Sequence, residues 1–288
     1  CFIANLYPNS EIIGVDKCKK GIKCAEEIAQ KLGVKNVKFE AVDAKKVDKF
    51  FKEEKFDLVI SNRSMLEITN LPKLKSFWSI DEVENSIVVA NSVLKFFKSV
   101  EKVMTHDAKL ITFERLDGLE EILNFIKSMH ASGLYADIDS MCKIQFNELN
   151  DVEQMPLIVF DKTERDEIGF YDAIEIYNKL PILNKQKDIE DEFAIELQFK
   201  ALGEKELVYG TQIDYKTGVG SERREVWKVG DKYVTYKYSN VGRREIVTEG
   251  IEKDKAINEI RAMSNFIGRI GHKVTEYHSI EEREKLVK

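Results

Sequence analysis

The chain has 288 residues, of which 43% are hydrophobic and 33% are charged, and its formal net charge at pH 7 is −6. This length predicts about two domains, and the hydrophobic content supplies a buried core and excludes a globally disordered chain. The acidic balance argues against a general affinity for nucleic acid, although residues 200–288 carry an excess of basic side chains. No apolar run approaches the ~20 residues that a membrane-spanning helix needs, so no membrane partner is expected.

The cysteine pattern bears on the cellular compartment. The four cysteines are Cys1, Cys18, Cys24 and Cys142, and no two of them have C-x-x-C spacing. This pattern favours reduced thiols and predicts a cytoplasmic protein. The sequence begins with Cys1 and not with methionine, and we therefore expect it to be a fragment of a longer chain.

Short apolar strands that end on polar residues alternate with amphipathic helices in the first 62 residues. Residues 17–32 and 45–53 have the helical pattern. The predicted strands, each with the polar residue that follows it, are Glu11–Val15 with Asp16, Val37–Val42 with Asp43, and Phe56–Ser61 with Asn62. Ligands bind at the carboxyl ends of the strands in a doubly wound sheet, so these polar residues are the first candidates for a site.

The alternation continues to residue 160. After an irregular loop over residues 62–80, the predicted elements are a long helix Asp81–Met104, a strand Lys109–Arg115, a helix Leu119–Met129, and a closing antiparallel pair Cys142–Leu149 and Met155–Phe160. Such strict alternation favours the α/β class, with a doubly wound, mostly parallel sheet covered by helices on both faces.

The pattern changes after Asp161. From Glu206 onward the apolar period is two, and Gly230-Asp231 predicts a tight turn between two strands. One strand face is predicted to hold Leu207, Tyr209, Thr211, Ile213 and Tyr215, and another to hold Val234, Tyr236 and Tyr238. The predicted parts are an α/β domain over residues 1–162, a helical connector over 163–203, and a small α+β domain over 204–288, in which a helix covers an antiparallel β-meander.

Four segments of the first domain carry a family resemblance. They are Ile12-Ile13-Gly14-Val15-Asp16, Phe39-Glu40-Ala41-Val42-Asp43-Ala44, Phe56-Asp57-Leu58-Val59-Ile60-Ser61-Asn62 and Leu110-Ile111-Thr112-Phe113. In order and spacing they resemble the second to fifth strands of the Rossmann-like sheet in class I S-adenosylmethionine-dependent methyltransferases. The pair after Met141 resembles that family's terminal antiparallel strands. The resemblance implies S-adenosylmethionine as cofactor and methyl transfer to an acceptor that the sequence does not identify.

The resemblance also implies roles for six residues. Asp16 accepts hydrogen bonds from both ribose hydroxyls of the cofactor, for which an acceptor-only carboxylate is suited. Lys17 lies beside the adenine, and Asp43 accepts from the adenine amino group with the backbone of Ala44 nearby. Ser61 and Asn62 face the methionine part or the substrate. Asp43 has an alternative role as the N-cap of the following helix.

The sequence departs from the family at its start. The family's first strand and its glycine-rich turn have no counterpart here, and we expect the sheet to lack a central strand and to have an unpaired edge on each side. This departure calls the activity of the chain by itself into question. The third predicted strand ends in Ser61-Asn62-Arg63-Ser64 and lacks the Asn/Asp-Pro-Pro-aromatic signature of enzymes that methylate amino groups of bases or glutamine.

No catalytic residue is assigned from the sequence. The cofactor's sulfonium makes the methyl electrophilic, so the protein needs to align a nucleophile and at most to remove a proton. The candidate bases are Glu67, in the loop after the third strand, and His106 and Glu114, near the fourth. A metal site is not expected, because His272 and His278 have no cysteine or acidic residue at ligand spacing.

The C-terminal meander interleaves aromatic and basic residues, notably at Trp227-Lys228, Lys232-Tyr233, Tyr236-Lys237-Tyr238 and Arg243-Arg244. Two interpretations are open. Exposed, these side chains would stack bases and neutralise phosphates, which suits contact with RNA or an RNA-bound protein. Alternatively the sheet is half-buried and the aromatics belong to its core, since aromatic residues favour strands for that ordinary reason.

Two other functions compete with methyl transfer. A nicotinamide-dependent oxidoreductase shares the acid after its second strand, but Asp43 and the antiparallel pair at 142–160 favour the methyltransferase. A catalytically inactive scaffold of methyltransferase-like fold fits the absence of the glycine-rich turn.

Overall fold

The computed structural model describes residues 1–69, 77–86, 91–116, 118–148, 151–187 and 192–287. Its strands are β1 Ile12–Asp16, β2 Val37–Ala41, β3 Phe56–Asn62, β4 Met104–Phe113, β5 Tyr135–Ala136, β6 Cys142–Glu148, β7 Asp151–Asp161, β8 Ile182–Leu183, β9 Glu206–Asp214, β10 Ser221–Val229, β11 Lys232–Ser239, β12 Arg244–Ile251 and β13 Lys273–Tyr277. Its helices are α1 Phe2–Leu6, α2 Lys19–Lys31, α3 Val47–Phe50, α4 Met65–Thr69, α5 Ile80–Ser86, α6 Asn91–Lys102, α7 Leu119–His130, α8 Phe170–Lys179, α9 Glu192–Lys200, α10 Lys253–Arg269 and α11 Ile280–Glu284. None of the helices in these ranges is long and apolar enough to cross a membrane.

The predicted α/β class is confirmed. In the described ranges, β3 pairs parallel with β4, and β1 pairs parallel with β2. The sheet that contains β3 has the order β3-β4-β7-β6-β8, with β5 also paired to β7. β7 is antiparallel to both β4 and β6, so the predicted closing antiparallel pair is confirmed and β7 lies between its neighbours. The carboxyl ends of β3, β4 and β6 therefore meet at one edge of this sheet.

The strands β1 and β2 form a two-stranded sheet of their own. In the part of the chain that is described, β1 has β2 as its only partner and β3 has β4 as its only partner, so each has one unpaired edge. Aliphatic side chains on these strands are partly open to solvent: Val15 is 44% exposed, and Leu58 and Ile60 are each 46% exposed. Such exposure is unusual for strands of this apolar character, which normally lie inside a continuous sheet.

The predicted long helix Asp81–Met104 is wrong in its bounds. The structure has α5 and α6 in this region, and residues 87–90 lie outside the described ranges. The helix ends at Lys102 because Met104 begins β4 and pairs with Phe56 of β3. Met104 and Ala108 then enter the core as strand residues, at 2% and 0% exposure. β4 is consequently longer than the predicted strand Lys109–Arg115 at its amino end and shorter at its carboxyl end.

Within residues 163–203, the described segments 163–187 and 192–203 pack on the first sheet. Phe170, Ala173 and Ile174 of α8 are buried in the same core as α6 and α7. β8 pairs parallel with β6 and so adds a strand to the sheet. Farther on, α9 places Phe193 in this core and Ile195 in the core of the C-terminal sheet. The connector is therefore structurally continuous with the first domain over much of its length, and the domain boundaries remain a prediction.

The C-terminal sheet is antiparallel, with the order β12-β11-β10-β9-β13 in the described ranges. The predicted turn between β10 and β11 is confirmed, with Gly230 at a positive φ of 58° that favours glycine. The face shared by Val234, Tyr236 and Tyr238 is also confirmed. The other predicted face is wrong at Leu207, because the register with β10 shifts between Val226 and Trp227.

This shift divides the side chains of β9 between two cores. Leu207 packs with Trp227 on the α9 side of the sheet, whereas Tyr209 packs with Val226, Ala256 and Ile260 beneath α10. A bulge of one residue reverses the face of every side chain on one side of it, which a strict period-two pattern does not anticipate.

Candidate functional site

A cavity of about 680 Å³ separates β1 from β3, and we call it the β1–β3 cleft. It extends along β3 from Phe56 to Ser61 and reaches the carboxyl ends of β1 and β3. Apolar side chains line most of its length, namely Ile13, Val15, Val42, Val47, Phe51, Phe56, Leu58, Val59, Ile60, Met65, Ile68, Phe96, Val100 and Val103. Its volume and its mixture of apolar walls with a few polar groups are typical of small-molecule sites.

Five of the six predicted cofactor residues line this cleft. They are Asp16, Lys17, Asp43, Ala44 and Ser61. Asn62 does not line it; this residue is exposed at the end of β3, where it pairs with Phe113. These five residues lie at or after the ends of three different strands, and the fold brings them to one end of a single cavity. Their roles toward a cofactor remain predictions.

The carboxylates of Asp16 and Asp43 each accept one hydrogen bond from the backbone of a short turn, which leaves their other oxygen available to a ligand. Asp16 is the last residue of β1, and its Oδ1 accepts from the backbone N–H of Cys18 at 2.7 Å. The Oδ1 of Asp43 accepts from the backbone N–H of Lys45 at 3.1 Å and caps the short turn Ala44–Lys46. The capping role that the sequence offered for Asp43 is thus present. Each carboxylate keeps a second oxygen that makes no hydrogen bond among the described residues.

A nucleoside cofactor fits the chemistry of this end of the cleft. Carboxylate oxygens accept from hydroxyl and amino donors, and the two acids lie at and just past the carboxyl ends of neighbouring strands. The apolar side chains behind them, such as Val42 and Ile13, would offer a planar ring an apolar surface. The residues present therefore match a ribose and an adenine better than they match a simple anion, since the only basic side chains that line the cleft among the described residues are Lys17 and Lys45.

The structure separates the three candidate bases. Glu67 lines the cleft and is exposed. His106 is exposed near the amino end of β4, at the edge away from the cleft's polar end. Glu114 directly follows β4 and is buried at 1% exposure. Its Oε1 accepts from the Ser61 hydroxyl at 2.7 Å, and Leu66 N–H lies 3.5 Å from its Oε2.

An aromatic and cationic group that the sequence does not predict lies at the same edge. Arg63 has a positive φ of 52°, which is uncommon for a residue with a side chain. Its guanidinium lies 5.1 Å from the ring centre of Phe146 and forms an ion pair with Glu148 at 3.3 Å. Arg115 also pairs with Glu148. No local pattern predicts this group, because its members come from β6 and from the segments that follow β3 and β4.

The aromatic residues of the C-terminal sheet are core residues. Trp227, Tyr236 and Tyr238 are 4%, 4% and 6% exposed, and burial raises the pKa of both tyrosines far above the ordinary value. Trp227 and Tyr238 donate to Glu225, which is fully buried, at 2.9 and 3.0 Å. The half-buried-sheet interpretation therefore describes these three side chains. Contact of this domain with RNA or protein stays a prediction and has to involve other residues.

Comparison with known proteins supports the assignment of the first domain. Residues 1–139 match the family model described as a methyltransferase domain. No curated protein matches the chain. The match spans just under half of the chain, and over this part the chain is similar to a methyltransferase domain.

Several solved structures are similar over part of the chain. A putative methyltransferase from Thermoplasma acidophilum is 10% identical with a TM-score of 0.39, and the match covers 56% of this chain and 61% of that one. NSun6 from Pyrococcus horikoshii, solved with SFG, is 23% identical with a TM-score of 0.40, and the match covers 57% and 44%. An O-methyltransferase from Brevibacillus brevis, in complex with S-adenosyl-L-homocysteine, is 10% identical with a TM-score of 0.39 over 65% and 76%.

The chain spans less than two thirds of the length of the first two of these proteins. All three TM-scores lie below 0.5, so the similarity to a methyltransferase domain rests on the family match.

Proposed function

We propose that this chain transfers a methyl group from S-adenosylmethionine, bound at the polar end of the β1–β3 cleft, to an acceptor that remains to be identified. The observation that carries the proposal is the convergence of Asp16, Asp43 and Ser61, each at or just past the carboxyl end of a different parallel strand, on one cavity. Ligands of doubly wound sheets bind at this position.

The chain's own residues would hold the cofactor as follows. Asp16 accepts from the ribose hydroxyls, Asp43 accepts from the adenine amino group, and Ala44 and Lys17 lie beside the ring. Ser61 faces the methionine part, and Asn62, outside the cleft, is left to contact the acceptor. When bound, the cofactor supplies an electrophilic methyl group, so the protein's task is to orient the acceptor and exclude water.

Two observations bear on the alternatives. The insertion of β7 between β4 and β6 in antiparallel orientation disfavours the nicotinamide-dependent oxidoreductase, whose sheet is mostly parallel. The exposed aliphatic residues Leu58 and Ile60 favour the scaffold as the second candidate, because the cleft is open along its apolar length. Binding measurements distinguish the two.

The test is calorimetric titration of S-adenosylmethionine, with NAD as the comparison ligand, into the chain and into Asp16→Ala. A lost charge-assisted hydrogen bond costs about 1.5–3 kcal/mol, so the affinity of the variant for S-adenosylmethionine should fall by about 10- to 150-fold. Asp57→Ala is the matched control, because Asp57 is an exposed acid near the amino end of β3 and does not line the cleft.

Equal affinity of the chain and Asp16→Ala for S-adenosylmethionine would refute the site. Tighter binding of NAD would favour the oxidoreductase. No binding of either ligand would leave the scaffold as the better proposal.

A further inference from the structure

Glu114 is a buried carboxylate whose charge has no cationic partner among the described residues. It is 1% exposed and its two hydrogen-bond donors are the Ser61 hydroxyl and the Leu66 backbone N–H. The two neighbouring arginines, Arg63 and Arg115, both form their ion pairs with Glu148. Buried carboxylates are normally paired with a cation, because transfer of an isolated charge out of water is costly.

Two serine hydroxyls connect this carboxylate to the β1–β3 cleft. The Ser61 hydroxyl has one proton and donates it to Glu114, so Ser64, whose Oγ lies 2.9 Å away, donates to Ser61. Ser61 and Ser64 both line the cleft. The negative charge of Glu114 therefore lies directly behind the polar end of the cavity, where little solvent screens it.

We propose that Glu114 makes the β1–β3 cleft selective for a positively charged ligand, so that S-adenosylmethionine binds more tightly than S-adenosylhomocysteine. This inference rests on the proposed function and names the feature of the ligand that Glu114 recognises. The two ligands share adenine, ribose and the amino acid part and differ in the methyl group and the charge on sulfur. Because methyl transfer leaves sulfur neutral, the same charge that favours the substrate form also favours release of the product form.

The experiment compares dissociation constants of both ligands by calorimetry, for the chain and for Glu114→Gln. We expect the chain to prefer S-adenosylmethionine by about tenfold, equivalent to ~1.4 kcal/mol. In Glu114→Gln the ratio of the two constants should approach one, chiefly through weaker binding of S-adenosylmethionine. An analogue with an ammonium group in place of the sulfonium should behave like S-adenosylmethionine, which separates charge from the methyl group.

Two further variants control for indirect effects. Asp57→Asn removes an exposed acid of β3 that does not line the cleft and should leave the ratio unchanged, because solvent screens that charge. Glu114→Asp keeps the charge and should retain a preference for S-adenosylmethionine. If Glu114→Gln fails to fold, as judged by circular dichroism, Glu114→Asp and the ammonium analogue against S-adenosylhomocysteine still test the role of charge.

The outcomes separate the two proposals. If both ligands bind the chain equally, or if Glu114→Gln keeps the original ratio, the inference about Glu114 is wrong and the proposed cofactor site stands. If neither ligand binds the chain, the proposed function fails and the inference fails with it.

Discussion

At the scale of single residues, Asp161 is the centre of an ion-pair network at the sheet edge away from the cleft's polar end. Its buried carboxylate accepts from Arg165 Nη1 at 2.6 Å and from Lys109 Nζ at 2.6 Å. The hydrogen bond from Arg165, followed by that from Lys109, holds the pKa of Asp161 far below its usual range. Lys109 also donates to Asp137 and lowers the pKa of that carboxyl, while both acids raise the pKa of Lys109.

We predict that Asp161→Asn lowers the free energy of unfolding at pH 7. The free energy of unfolding of this variant should also change less with pH below about pH 5. A depressed pKa in the folded state stabilises the protein at pH values above the unfolded pKa of about 4, and this contribution is lost as the pH falls below it. Lys109 and Arg165 stay protonated throughout that window, so they do not reverse the sign. Urea unfolding at pH 7, 5, 4 and 3 measures the effect.

Glu175→Gln is the control for this prediction, because the Glu175–Lys179 pair is exposed and lies within one helix. It should change the unfolding free energy little at any of these pH values. An acid dependence as steep in Asp161→Asn as in the unaltered chain would contradict the assignment of this stability to Asp161.

At the scale of elements, α9 is tied to two other parts of the chain by one buried carboxylate. Glu196 Oε1 accepts from the backbone N–H of Ile80, at the start of α5, at 3.1 Å. Its Oε2 accepts from Arg244 Nε, on β12, at 3.1 Å. The Arg244 side chain is fully buried, and its guanidinium carbon lies 4.6 Å from the ring centre of Phe193.

We predict that Glu196→Ala lowers the free energy of unfolding by about 3–5 kcal/mol, because it leaves the Arg244 guanidinium buried without its counter-ion. The double variant Glu196→Leu, Arg244→Met should recover most of that loss, since both charges are replaced by apolar groups. Denaturant titration of the three proteins provides the comparison. A loss below about 1 kcal/mol, typical of an exposed pair, would show that Arg244 finds solvent or another partner.

At the scale of the whole molecule, the two sheets share structural elements. α9 contributes Phe193 to the core of the first sheet and Ile195 to the core of the second. The segment before α5 also contacts the C-terminal sheet, because Phe77 N–H donates to Asn240 O at 3.0 Å and the Trp78 ring lies 4.0 Å from the Arg223 guanidinium. The cores of the two sheets are thus packed on one another through α9 and this segment.

We predict that the two sheets unfold in one cooperative transition. The chain has two tryptophans, so in a Trp78→Phe background the fluorescence of buried Trp227 reports on the C-terminal sheet alone. Its denaturation curve should coincide with that of far-ultraviolet circular dichroism, which follows the whole chain. In the double variant Trp78→Phe, Glu196→Ala the midpoints of the two denaturation curves should differ more, because the hydrogen bonds of Glu196 no longer connect α9 to α5 and β12. Separate midpoints already in the Trp78→Phe protein would mean that the sheets unfold independently.

The sequence by itself determined the features that depend on neighbours along the chain. The alternation of strands and helices, the antiparallel pair β6 and β7, the turn at Gly230 and the acids Asp16 and Asp43 at strand ends all follow from periodicity and turn chemistry. These signals are local, because backbone geometry fixes which side chains share a face within one element. Five of the six predicted cofactor residues could be placed at one cleft for this reason.

Only the tertiary structure decided what depends on distant segments. Ser61 and Glu114 are 53 residues apart, and only the pairing of β3 with β4 brings them to 2.7 Å. Leu207 changes face through a register shift against β10, and Met104 joins a strand because Phe56 offers it a partner. Such pairings are set by packing summed over many residues, and no short stretch of sequence encodes them.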